Sequence, residues 1–186
     1  VYKRQKFVLA SQSPRRAELF KYISKEFEIL PANCDETAPD GVEAGEVPQI
    51  LAARKALAVS KERPDALVIG CDTVVIIEGK ILGKPGTIEN ACEMLKTLSG
   101  RMHTVVSGVC LCYNKKTMSF TQKTDVMFYD LSESEIDDYA NKSLPLDKAG
   151  AYGIQDGGAL FVEWIRGNYY NVVGLPLARL KREIDR

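Results

Sequence analysis

Apolar residues are distributed along the chain in short runs and helical stripes. Phe7-Val8-Leu9-Ala10 is a compact apolar run that predicts a buried strand. It breaks at Ser11-Gln12-Ser13-Pro14, where Ser13 suits a helix N-cap and Pro14 a first helical residue, and Leu19, Phe20 and Ile23 follow as a helical stripe. A second helix is expected from about Pro48, with Ile50, Leu51, Leu57 and Ala58 inward. Ala66 to Ile77 is the most apolar stretch, and its β-branched content favours a strand. Glu78-Gly79-Lys80 reads as a turn into Ile81-Leu82. Thr87 to Leu98 places Ile88, Ala91, Cys92, Leu95 and Leu98 on one helical face, closed by Gly100. Strands are expected over Thr104 to Tyr113 and Phe120 to Phe128, joined through Asn114-Lys115-Lys116. Ser132-Glu133-Ser134-Glu135 is a capping box ahead of a short helix. A hairpin of Ala159 to Ile165 with Tyr169 to Val173 is expected about Arg166-Gly167, before a last helix from Pro176 with Leu177, Leu180 and Ile184 inward. Mixing βα units with hairpins predicts one α/β domain over residues 1–186 with a mixed sheet.

Composition narrows the classes. Hydrophobic residues form 45% of the 186, enough for a real core. Lys plus Arg and Asp plus Glu are 25 each, so an anion site must be a local pocket, and a nucleic-acid partner is not expected. No apolar run approaches the roughly 20 residues of a membrane span, so no membrane partner is expected. Val1 to Lys6 lacks both a Met and an apolar h-region, which reads as a trimmed or non-native terminus without a signal peptide. Five cysteines, none in a CxxC spacing, fit reduced thiols and a cytoplasmic location.

Some residues depart from this structural pattern. Asp72 interrupts an apolar strand, where a carboxylate costs several kcal/mol unless it is paired or bound to a cation. Either the strand ends at Gly70 and Asp72 lies in a solvated turn, or its carboxylate binds a divalent metal or takes a proton from water. Ser11, Ser13, Arg15 and Arg16 gather donors where a strand meets a helix N-terminus, a setting that favours phosphate. Gly83-Lys84-Pro85 lacks the full GxxxxGK[ST] pattern, which excludes a P-loop ATPase. Lys55, beside its helix stripe, taken alone reads as a snorkelling surface lysine, and Glu36 as part of a solvated acidic loop. The charged, glycine-rich segment from Asp147 to Gln155 suits a binding loop, in which the Gln155 amide can both donate and accept. His103 is the single histidine, which excludes a multi-His metal site and fits a hydrogen-bonded helix-to-strand turn.

Six blocks in order resemble the Maf family of nucleotide pyrophosphatases: Leu9 to Arg16, Gly70 to Val74, Gly83 to Pro85, Ser99 to His103, Asp147 to Gln155 and Tyr170 to Pro176. The resemblance implies an α/β fold related to the inosine triphosphate pyrophosphatases, with two lobes around an elongated mixed sheet flanked by helices and a central cleft. It implies cleavage of a nucleoside triphosphate to a monophosphate and pyrophosphate, a divalent cation such as Mg²⁺ or Mn²⁺, a homodimer and a cytoplasmic home. Asp72 matches the proton acceptor, Glu36 and Asp72 the metal ligands, and Glu36, Lys55 and Lys84 the metal- and phosphate-handling positions. Arg15, Thr73 and Gln155 match positions tied to substrate choice in the branch preferring dTTP and UTP, whereas the branch acting on 7-methyl-GTP usually differs at the Arg15 position. One departure is visible: Gln155-Asp156-Gly157-Gly158 stands where the family commonly has Gln-Gly-x-Gly. A nucleotide-binding regulator with little turnover is the alternative, but it has no need of Asp72; an RNA-binding module is disfavoured by the balanced charge.

Overall fold

The computed structural model describes residues 5–143 and 145–186. The reading of the first residues as a trimmed terminus therefore lies, up to Arg4, outside the described residues. Among the described residues, seven strands and six α-helices follow in the order β1 (Lys6–Ala10), α1 (Pro14–Phe20), β2 (Glu28–Ile29), α2 (Val47–Glu62), β3 (Ala66–Ile77), β4 (Lys80–Leu82), α3 (Ile88–Leu98), β5 (Met102–Tyr113), β6 (Lys116–Phe128), α4 (Glu133–Ser143), β7 (Val162–Arg166), α5 (Tyr169–Val173) and α6 (Leu177–Asp185). Short 3₁₀ turns occupy Pro145–Asp147, Ala149–Ala151 and Gly157–Phe161. The strands form a mixed sheet in the order β2-β1-β3-β5-β6-β7, with β4 paired to β3.

The chain divides into two compact units. The first comprises the described residues up to Thr73 with Ser107–Gln122 and Gly174–Arg186; the second comprises Val74–Val106 and Lys123–Val173. In the first, β1 lies parallel to β2 and to β3, with Leu9 opposite Ile69 and Ala10 opposite Gly70. Small residues dictate how α2 packs there. Ala52 and Ala56 are fully buried with Val8, Ala10, Val59 and Val68. A Cβ on Gly70 would lie 2.1 Å from the Ala52 carbonyl oxygen, and one on Gly108 2.2 Å from the Pro48 carbonyl carbon. Glycine at both positions lets the helix backbone rest directly on the strands. In the second unit β3 turns into the antiparallel β4, with Ile76 opposite Ile81, and β6 pairs antiparallel with β7, with Met127 opposite Trp164.

Several expectations shift. The inward stripe of α2 runs through Val47, Pro48, Leu51, Ala52, Lys55, Ala56 and Val59, whereas Leu57 is 43% exposed. The face is chosen by small residues that allow close approach rather than by the largest apolar ones. Tyr169 to Val173 is a helix, not a strand: the Asn168 side chain accepts from the Asn171 N–H at 2.9 Å and starts it. The first arm of the expected hairpin is also shorter, because Gly157–Phe161 is a 3₁₀ turn and the strand starts at Val162. The first helix is shorter than its expected stripe, ending at Phe20 with Ile23 in the turn beyond it, while α3, α4 and α6 form where expected. Ser13 and Thr87 cap α1 and α3, and Ser132 and Glu135 bond reciprocally ahead of α4. All five cysteines are free, and Cys71, Cys110 and Cys112 are buried.

Candidate functional site

The first unit brings together Glu36, Lys55 and Asp72. Asp72 is inside β3 rather than in a solvated turn, with a side chain only 14% exposed. Lys55 occupies the middle of the inward face of α2, and its ammonium lies 2.7 Å from Asp72 Oδ1 and 2.8 Å from Glu36 Oε2. It is therefore a buried lysine, 7% exposed, and not a snorkelling one. Burial alone would push the Lys55 ammonium toward neutrality, but the Asp72 and Glu36 carboxylates outweigh it and hold its pKa above the ordinary lysine value. The close approach at Gly70 has a direct consequence: Asp72, two residues along the same face of β3, meets the helix within reach of Lys55.

On the opposite face of β3 a second network closes around Thr73. Arg16 donates from Nη2 to Thr73 Oγ1 at 2.9 Å, from Nη1 to Ser11 Oγ at 3.2 Å and from Nε to the Gly174 carbonyl at 2.8 Å. Thr73 Oγ1 also meets Ser107 Oγ at 2.8 Å, and the Cys71 thiol donates to the Gly174 carbonyl. Three of the five guanidinium N–H groups of Arg16 are thus spent on protein oxygens. Ser11 is buried and accepts from the Ser13 N–H, while the Ser13 hydroxyl accepts weakly from the Arg16 N–H at 3.5 Å. Ser11, Ser13 and Arg16 thereby build the strand-to-helix loop itself. Arg15 is half-buried beside them. Ser107 was invisible to pattern reading: a serine in an apolar strand gives no signal until its partner is known.

In the second unit the loop carrying Lys84 is tied to the glycine-rich segment, because Gly150 N–H donates to the Gly83 carbonyl at 3.0 Å. Gly150 has φ +67°, and a Cβ there would come within 2.8 Å of Val75. Lys84 and Gln155 are both exposed. His103 is buried against Phe128 and Tyr152, with Nε2 2.8 Å from the Tyr152 hydroxyl. It serves packing, and burial pushes its pKa down to about 4.

Glu36 and Asp72 offer carboxylate oxygens, the donor type that a divalent cation such as Mg²⁺ takes. Each gives one oxygen to Lys55, and its second oxygen is of the same hard donor type. Among the described residues no cluster of three or more His, Cys, Asp and Glu side chains exists, so a closed protein cage is not available. Two carboxylates that leave the remaining positions to phosphate and water oxygens match the way Mg²⁺ is commonly held at phosphate sites. The residues fit such an ion. No helix among the described residues is long and apolar enough to cross a membrane.

Known proteins resemble this chain over nearly its whole length. A dTTP/UTP pyrophosphatase of Bacillus cereus strain G9842 is 47% identical over 180 residues, covering 97% of this chain and 94% of that protein. A dTTP/UTP pyrophosphatase of Bacillus cytotoxicus is 46% identical with the same coverage. The solved structure of the Staphylococcus aureus Ham1 protein matches with a TM-score of 0.50 at 19% identity, covering 68% of this chain and 73% of that one, and shares the fold. The family model described as Maf-like protein matches residues 6–186, and the chain belongs to that family.

Proposed function

We propose that the chain hydrolyses nucleoside triphosphates between the α- and β-phosphates, giving a monophosphate and pyrophosphate, with dTTP and UTP preferred. The observation that carries this reading is Asp72 held in an apolar strand by the buried Lys55 ammonium. A carboxylate enclosed in this way is costly without a task, and taking a proton from water is one it can perform. The Bacillus relatives, dTTP/UTP pyrophosphatases similar over nearly their full length, support the same reaction and base preference.

In this reading Asp72 orients a water and takes its proton as the water oxygen bonds to the α-phosphorus. The bond from that phosphorus to the bridging oxygen breaks, pyrophosphate departs, and the proton passes to solvent. Lys55 holds the Asp72 carboxylate in place through their 2.7 Å contact. Glu36 and Asp72 would hold Mg²⁺ or Mn²⁺, which supplies charge stabilisation on the phosphate oxygens when bound. Arg15, Lys84 and the remaining N–H groups of Arg16 offset triphosphate charge. Thr73, with its hydroxyl fixed by Arg16 and Ser107, shapes the site, and the Gln155 amide pairs with the donor and acceptor on the edge of thymine or uracil. A homodimer in the cytoplasm completes the reading.

A nucleotide panel tests it. Pyrophosphate and monophosphate should be the first products, fastest from dTTP and UTP, and turnover should stop on full chelation with EDTA. Orthophosphate with a diphosphate as first products would overturn the cleavage position. Tight binding without turnover across the panel would favour a regulator instead. A purine triphosphate or CTP clearly beating UTP and dTTP would overturn the base preference alone.

A further inference from the structure

Lys148 is 9% exposed, and an ammonium so enclosed requires carboxylates. Asp147 Oδ1 and Asp156 Oδ2 each lie 3.4 Å from its Nζ. Asp147 is its immediate neighbour and is mostly exposed, so the contact to Asp156, eight residues on, is the one that joins distant parts of the segment. Between them the chain makes a tight turn in which the Asp156 N–H donates to the Gly153 carbonyl at 3.1 Å. The same turn is fixed at its start, where the Gly153 N–H donates to the Tyr139 hydroxyl at 3.0 Å. Gln155 is the third of the four turn residues and is exposed.

The turn has no slack. A Cβ on Gly153 would lie 2.6 Å from Asp156 Oδ2 and 3.0 Å from Lys148 Cε, and one on Gly158 2.7 Å from the Gly153 carbonyl oxygen. The first residue is thus pinned by Tyr139 and the last by Lys148, with Gln155 held between. A carboxylate turned toward the base would accept a hydrogen bond from an amino group on it. Asp156 Oδ2 faces Lys148 instead.

We infer that Asp156 is a positioning residue: its carboxylate, bound to Lys148, fixes the turn that presents the Gln155 amide, and it does not itself read the base. This rests on the base-reading role proposed for Gln155. Without the pin the amide samples more orientations, so affinity for a matched base falls while the reacting groups are untouched.

The test compares Asp156→Asn, Asp156→Glu, Lys148→Met and the Asp156→Asn/Lys148→Met pair in the full chain. Steady-state kinetics with UTP and CTP would be read beside amide hydrogen exchange of residues 148–158. Asp156→Asn should raise KM for UTP about three- to fivefold, the scale of a partly exposed ion pair, with kcat near wild type and a smaller UTP-over-CTP ratio. Lys148→Met should do the same, the pair should be no worse than either single change, and Asp156→Glu should recover part of the loss. Exchange in the segment should quicken in each variant that breaks the contact. Unchanged exchange in Asp156→Asn would overturn the pin whatever the activity. Faster exchange with an unaltered UTP-over-CTP ratio would overturn the link to Gln155, and a selective loss of CTP turnover would make Asp156 a direct reader. Wild-type protein that releases no pyrophosphate from UTP would instead overturn the proposed function.

Discussion

Lys55 sits where the packing of its helix would accept an alanine, and the charge is tolerated because two carboxylates close on it at 2.7 and 2.8 Å. Each partner therefore has a structural duty as well as a chemical one. Asp72→Asn should cut pyrophosphate release by at least about 10²-fold, as for loss of a general base. It should also lower unfolding free energy by about 1–3 kcal/mol, because the buried ammonium is left with only the half-exposed Glu36. Adding Lys55→Met should then restore stability in denaturant titrations while leaving turnover dead. Recovery of both would move catalysis elsewhere; recovery of neither would mean the ion pair is not what holds this face. A purely solvent-facing pair would give no such split, since its contribution to stability is small.

At the scale of elements, the contact between α2 and β3 sets the reach of Lys55 to Asp72. Gly70→Ala drives a methyl group into the Ala52 carbonyl, whose oxygen would be 2.1 Å away, so the helix must move outward. Overpacking of this kind costs about 1–3 kcal/mol, and here the moving part is backbone rather than a flexible side chain, which favours the upper end. Thermal unfolding should fall accordingly. The kcat should fall as well, and by more than in a destabilised variant of α6, because the Lys55–Asp72 contact moves with the helix. The same element shows what the sequence hides. β3 and α3 were legible because long β-branched runs and a capped apolar stripe carry their own period. The phase of α2 was not, because alanines beside a glycine pack closely without looking hydrophobic. The hairpin expected about Arg166-Gly167 hides that the next residue, Asn168, caps α5, and the two-residue β2, exposed throughout, has no pattern to find. In the site, Asp72 announced itself as a carboxylate among apolar neighbours. Lys55 taken alone did not, since its burial depends on which face of α2 turns inward.

For the molecule as a whole, the charges balance at 25 of each sign, so no net repulsion builds near neutral pH. Carboxylates and amines of ordinary pKa change little between pH 5 and 7.5, and the chain has one histidine. The hydrogen-bonded carboxylates of Glu28, Asp35, Glu89 and Glu135, held below their ordinary range, add to the slope of stability with pH only at the acid end of this window, so the larger part of it falls to His103. Its ring is 2% exposed, packed edge-on against Phe128 and Tyr152, and burial holds its pKa near 4 against an ordinary value of 6.5. A basic group whose folded pKa is depressed binds its proton more readily in the unfolded chain. Its stabilising effect is complete above pH 6.5 and drains away as pH falls toward 4. Linkage over these two pKa values gives a loss of about 2 kcal/mol between pH 7.5 and pH 5. Urea unfolding at those two pH values should show it in the wild type. His103→Phe gives up the 2.8 Å contact to Tyr152 and should be less stable at pH 7.5, yet nearly level across the window. A wild-type slope that persists in His103→Phe would assign the proton uptake to carboxylates. An absent slope in the wild type would mean that the ring reaches solvent and takes its proton without unfolding.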